Sequence, residues 1–103
     1  MAHEPADFDA TLAAAAGEDL ALLAELRSAF GESLAQQVDL LRRARCDGNW
    51  EVAALRLKGL GSSFHAPELI RLADQALEGA PGEPGVIRKL AALSERFAVQ
   101  PTE

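Results

Sequence analysis

One cysteine, Cys46, and no tyrosine occur in the 103 residues. A lone thiol cannot close an intrachain disulfide, so no such bridge braces the fold, which fits a reducing compartment. β-Branched residues are scarce and aromatics make up 5% of the chain, which leaves little material suited to strands. No apolar run approaches the roughly 20 residues that span a bilayer. The opening "MAHEPADFDA" is acidic and has no apolar signal core. A cytoplasmic protein without a membrane partner is therefore expected. Positive charge is also short: 10 Lys and Arg stand against 16 Asp and Glu, for a net charge of -6. No basic stripe is available to meet a phosphate backbone, so nucleic acid is not an expected partner.

What is present is mostly alanine and leucine, with 49% hydrophobic and 25% charged residues. These are globular values, and the length suits one domain over residues 1–103, with 1–6 and 99–103 as frayed tails. Turn residues divide the chain into helical periods. "CDGNW" (Cys46 to Trp50) reads as a tight connection in which Asn49 caps the following helix. "GAPGEPG" (Gly79 to Gly85) reads as a loop, and Pro67 suits a first helical turn.

Phe8, Leu12 and Ala15 suggest a short first helix. A long one from Glu18 to about Arg45 carries Leu23, Phe30, Leu34, Val38 and Leu41 on one side. Three more run from Trp50 to about Phe64, from Pro67 to Glu78 (Leu69, Leu72, Ala73, Ala76 and Leu77 inward), and from near Pro84 through Val86, Leu90, Leu93 and Phe97. Short connections between amphipathic helices predict an all-α, up-down antiparallel four-helix bundle with a short additional N-terminal helix.

The helix from Trp50 to Phe64 holds the most informative pattern. At about 100° per residue, Trp50, Ala53, Leu57, Leu60, Gly61 and Phe64 share one apolar stripe. Leu55 falls about 160° from Leu57, among Glu51, Val52, Lys58, Gly59 and Ser62. It is predicted to face solvent, either as one of the scattered surface leucines common in soluble proteins or as a contact spot. Gly59 is odd on this face, since glycine within a helix costs about 1 kcal/mol relative to alanine. Drift would explain it, and so would a partner that must approach closely. Gly61 faces the core, where a small residue permits close helix packing.

"ALRLKGLGSSFHA" (Ala54 to Ala66) resembles the signature of histidine-containing phosphotransfer (HPt) domains, Ala-His-x-Leu-Lys-Gly-Ser-x-x-x-φ-Gly-Ala, with φ apolar. Ala54, Leu57, Lys58, Gly59, Phe64 and Ala66 match without a gap. The preceding long helix, the "CDGNW" turn and "APELIRLADQALEGA" are similar to the family's long helix, turn and following helix, so the resemblance extends from Phe8 to Phe97. It implies a four-helix bundle acting with receiver domains of response regulators or with histidine kinases. It also implies that Lys58 helps to hold phosphate and that Gly59 leaves room for the docking receiver.

Three positions depart from the signature: Leu55 stands at the phospho-accepting histidine, Leu60 at the following small residue, and His65 at the glycine before the last alanine. Leucine offers no nucleophilic nitrogen, so no catalytic residue, metal or cofactor is expected. What remains is docking through Leu55, Lys58 and Gly59, with Glu51, Val52, Arg56 and Ser62 at the rim, by a chain expected to be a monomer. Two rival readings stand beside it. One is a phosphocarrier using His65, which lies ten residues on, roughly 15 Å along the axis and about 80° around it. The other is a homodimerisation module closed by the Leu55 face. His65 otherwise reads as a helix-end residue whose imidazole can meet the last carbonyls.

Other chemistry finds no pattern. "GLGS" follows no strand and lacks a complete glycine-rich fingerprint. His3, Cys46 and His65 have no metal-ligand spacing, and Ser62 or Ser63 with His65 lacks an orienting acid. Glu18, Asp19, Glu25 and Glu32 read as a solvated helix face.

Overall fold

The computed structural model describes residues 12–17 and 19–97, and every regular element among them is a helix. Residues 12–16 form α1, followed by α2 (Leu20–Arg43), α3 (Asp47–Ser63), α4 (Pro67–Glu78) and α5 (Pro84–Arg96). α2 packs against α3 and α5, and α4 packs against the same two. Among the described residues, no helix is long and apolar enough to cross a membrane. Phe8, Glu18 and the tails 1–6 and 99–103 lie outside the described residues.

The boundaries follow from local chemistry. α2 starts at Leu20 because Asp19 is its cap: its Oδ1 accepts from the Leu22 N–H at 3.1 Å, which satisfies one of the open donors of the first turn. Asp19 is exposed like Glu25 and Glu32, and it caps the helix as well. At the other end, Arg42 and Arg43 sit in the last turn, where positive charge suits the helix dipole.

α3 begins three residues earlier than "CDGNW" suggests. Cys46, not Asn49, occupies the N-cap position, with an extended backbone and no side-chain cap. The Trp50 N–H donates to the Cys46 carbonyl at 3.0 Å, so Asp47, Gly48 and Asn49 form the first helical turn. Asp47 is favourable there for the same electrostatic reason. Pro67 and Pro84 both lie in first turns, where the missing N–H costs no hydrogen bond.

The core takes one stripe from each helix. Phe30, Leu34, Val38 and Leu41 come from α2, and Trp50, Ala53, Ala54 and Leu57 from α3. Leu69, Leu72, Ala73 and Ala76 come from α4, and Val86, Leu90 and Leu93 from α5. Leu12 of α1 is 1% exposed and joins them, with Ala16 buried beside it in place of Ala15. Leu23, Leu60, Phe64, Leu77 and Phe97 pack on the core while remaining partly accessible.

Phe30 stands between Phe64 and Phe97, with ring centroids 4.9 and 5.1 Å away. These are tilted and edge-on geometries that aromatic rings favour. Gly31, next to Phe30, lies so close to the Phe97 carbonyl that a Cβ there would collide with it. Gly31, midway along α2, thus marks the place where the end of α5 rests.

Candidate functional site

One side of α3 is in the core and the other is open. Ala54 and Leu57 are fully buried, while Leu55, between them in sequence, is 50% exposed. The residues one helical turn away in either direction surround it: Glu51, Val52 and Gly59 are exposed, as is Ser62 one turn further on. Val52 is itself 48% exposed, so Leu55 has an apolar neighbour on this face. Arg56 is exposed at its flank. The seven positions expected to form a docking face therefore lie on a single helix.

Lys58 is the one whose surroundings differ from expectation. Its Nζ is 2.9 Å from Asp74 Oδ1 on α4, so the ammonium is drawn sideways across the helix pair. Both side chains remain nearly half exposed, and an ion pair this wet is worth little in stability. Its effect is on orientation. Nothing in the spacing of α4 pointed to Asp74, which simply flanks the buried Ala73.

The two glycines of this helix have opposite surroundings. A Cβ on Gly59 would meet nothing within 4 Å. A Cβ on Gly61 would lie 2.9 Å from Ile70 Cγ1, 3.2 Å from the Ile70 nitrogen and 3.3 Å from the Ala66 oxygen. Gly59→Ala should therefore stabilise the chain by about 0.5–1 kcal/mol, the helix-propensity gain. Gly61→Ala should destabilise it by about 1–3 kcal/mol through overpacking. Denaturant melts of the two variants check the pair of opposite signs.

His65 has φ 53°, the sole positive value at a non-glycine among the described residues. It lies beyond the end of α3, so the rise and rotation of a continuous helix do not carry through to it. Around it the chain closes as a Schellman motif: the Ala66 N–H donates to the Gly61 carbonyl at 2.8 Å and the His65 N–H to the Ser62 carbonyl at 3.4 Å. The backbone N–H of His65 meets the last turn, in place of the imidazole. Left-handed backbone favours glycine over a residue with a Cβ by about 1–2 kcal/mol, part of which glycine returns through its looser unfolded chain. His65→Gly is expected to raise the thermal midpoint by a few degrees, roughly the response to 0.5–1 kcal/mol in a domain of this size. A calorimetric scan measures it.

Beside this face the structure adds residues that the motif did not indicate. Leu40 of α2 is 43% exposed and lines a groove with Val52 and Arg56 of α3. The sequence does hold a signal for it, because Leu40 is about 100° off the stripe that contains Leu41. Nearby, Asp39 takes hydrogen bonds from both Arg42, at 2.7 Å, and Arg43, at 3.1 Å. The Arg42 bond, followed by the nearby positive charge of Arg43 and Arg42, holds its carboxyl below the ordinary value of 3.8. Cys46 is a free, exposed thiol, and among the described residues no three His, Cys, Asp or Glu side chains gather as metal ligands would.

Compared with protein-family models, curated proteins and solved structures, the chain matches none.

Proposed function

We propose that this chain is a non-catalytic relative of HPt domains, which docks a receiver domain or a histidine kinase through the α3 face and carries no phosphate. The observation on which this rests most is Leu55: an aliphatic side chain, half exposed, at the signature position where relatives present an imidazole. A receiver covering that position meets an apolar contact without a phosphoryl acceptor. Gly59, with open space above its Cα, lets the partner approach, while Lys58 and the rim residues Glu51, Val52, Arg56 and Ser62 set polarity around the contact.

Two further features support the resemblance. The signature requires glycine at the position of His65, and that is where the backbone turns left-handed. The up-down antiparallel arrangement of the family is supported by contacts between helix starts and helix ends. Trp50, early in α3, bonds Ala76, late in α4; Arg96, at the end of α5, pairs with Glu68, early in α4, at 2.7 Å; and Phe64, just past α3, packs against Phe30 in the first half of α2.

The test is phosphotransfer. After incubation with phosphorylated kinases and receivers from the source organism, the wild-type chain should acquire no label, and His65→Ala should behave identically. Leu55→His should accept label from a donor that binds the face. Label on the wild type that disappears in His65→Ala would make the chain a phosphocarrier. A Leu55→His chain that binds its donor and still takes no label would show that the docking geometry is not shared with the family.

A further inference from the structure

The groove between α2 and α3 has a volume of about 380 Å³ and is built from two facing stripes. From the end of α2 come Leu40 and Arg43, with Ala44 at its extended C-cap; from α3 come Asn49, Val52, Ala53 and Arg56, spaced i, i+3, i+4, i+7. Ala44 and Ala53 are 6% and 3% exposed and form the floor. Their side chains end at Cβ, which leaves a depression between the helices. Leu40 and Val52 are 43% and 48% exposed and form apolar walls. Arg43 and Arg56 stand at the rim, and the lining contains no carboxylate.

That charge is unusual for this chain. Its net charge is -6, yet five of its ten Lys and Arg fall between Arg42 and Lys58, against only Asp47 and Glu51. Asp39 is shared between Arg42 and Arg43, and the Arg43 side chain is still 68% exposed, so guanidinium donors remain for an incoming anion.

We infer that this groove receives an acidic amphipathic helix of a partner protein. A large apolar side chain of that helix would sit over Ala44 and Ala53 between Leu40 and Val52, and its flanking carboxylates would reach Arg43 and Arg56. Two helices with small floor residues and projecting walls offer the kind of hole into which a third helix inserts a knob. The charge selects the partner's sign. A second copy fits poorly, because a two-fold pairing of groove on groove sets arginine against arginine. The groove shares Val52 and Arg56 with the docking face proposed above, but its chemistry holds whatever protein carries the helix.

Fluorescence anisotropy on the full chain tests it, with a labelled helical peptide carrying a leucine stripe flanked by glutamates and a counterpart with lysine at each glutamate. The glutamate peptide should bind saturably and at least about tenfold more tightly than the lysine peptide, weakening several-fold as salt rises from about 0.05 to 0.5 M. Arg43→Glu, Arg56→Glu and Val52→Glu should each weaken it about tenfold or more, whereas Arg88→Glu, an exposed charge reversal on α5, should not. Amide shifts in an NMR titration should centre on Leu40 and Val52. Equal binding of both peptides, indifference to the arginine variants, shifts centred elsewhere, or a chain dimer that Val52→Glu dissociates would overturn the assignment. No receiver or kinase takes part, so this result and that of the phosphotransfer test stand apart.

Discussion

Trp50→Ala should lower the unfolding free energy by about 3–5 kcal/mol, a large share of the roughly 5–15 kcal/mol typical of a natural domain. Trp50 is 3% exposed in the shared core, and its indole Nε1–H donates to the Ala76 carbonyl at 2.7 Å. It thus fixes the beginning of α3 to the end of α4 by packing and by a directed bond. Trp50→Phe separates the two contributions. It keeps a ring in the core and loses the bond, and the Ala76 carbonyl still receives the Gly79 N–H at 3.0 Å, so no buried acceptor is orphaned. That variant should cost only about 1–2 kcal/mol. Circular dichroism in denaturant is the appropriate probe, because Trp50 is the chain's one tryptophan and its fluorescence leaves with it. An alanine variant within about 1 kcal/mol of wild type would mean that the α3–α4 contact contributes little to the core.

The second large effect concerns binding rather than folding. Leu55→Asp changes an exposed position, so stability should stay within about 0.5 kcal/mol. Affinity for the receiver or kinase proposed to dock here should fall about a hundredfold or more. Burying a leucine contributes roughly 1.5–3 kcal/mol, and each 1.4 kcal/mol is about a factor of ten in affinity. A carboxylate in the same place adds desolvation, and repulsion from the acidic phosphorylation site that a receiver brings. Calorimetric titration of wild type and variant gives the ratio. Equal affinities would move the interface away from α3. A homodimer that dissociates in the variant, with no receiver or kinase bound by either protein, would favour the homodimerisation reading.

Much of this architecture is legible from periodicity, because the core is made of aliphatic residues at helical spacing. α4 begins and ends where Pro67 and the Gly79 break place it, and Leu55 is exposed where the wheel sets it. The misreadings share one physical origin: polar and turn-forming residues can serve the helix instead of ending it. Asp47, Gly48 and Asn49 look like a connection and become the first turn of α3, held by the Trp50 N–H to Cys46 carbonyl bond. Asp19 is the surface carboxylate it looks like, and what its spacing does not show is that it also caps α2.

His65 is the converse case. Its side-chain chemistry draws notice, but its backbone conformation is what the structure uses, and no spacing rule reveals a positive φ at a histidine. The Lys58–Asp74 pair and the arginine-rimmed groove were hidden for a different reason. Each joins residues on two helices, and a one-dimensional pattern does not say which flanks of neighbouring helices will meet.

The most direct measurement is an NMR titration of the isotopically labelled chain with a receiver or kinase that binds it, with the phosphorylation state of every histidine read in the same sample. Docking without transfer requires amide shifts centred on Leu55, Lys58 and Gly59 and no phosphohistidine. Shifts confined to α5 or to the α4–α5 loop, or a phosphorylated His65, would contradict it.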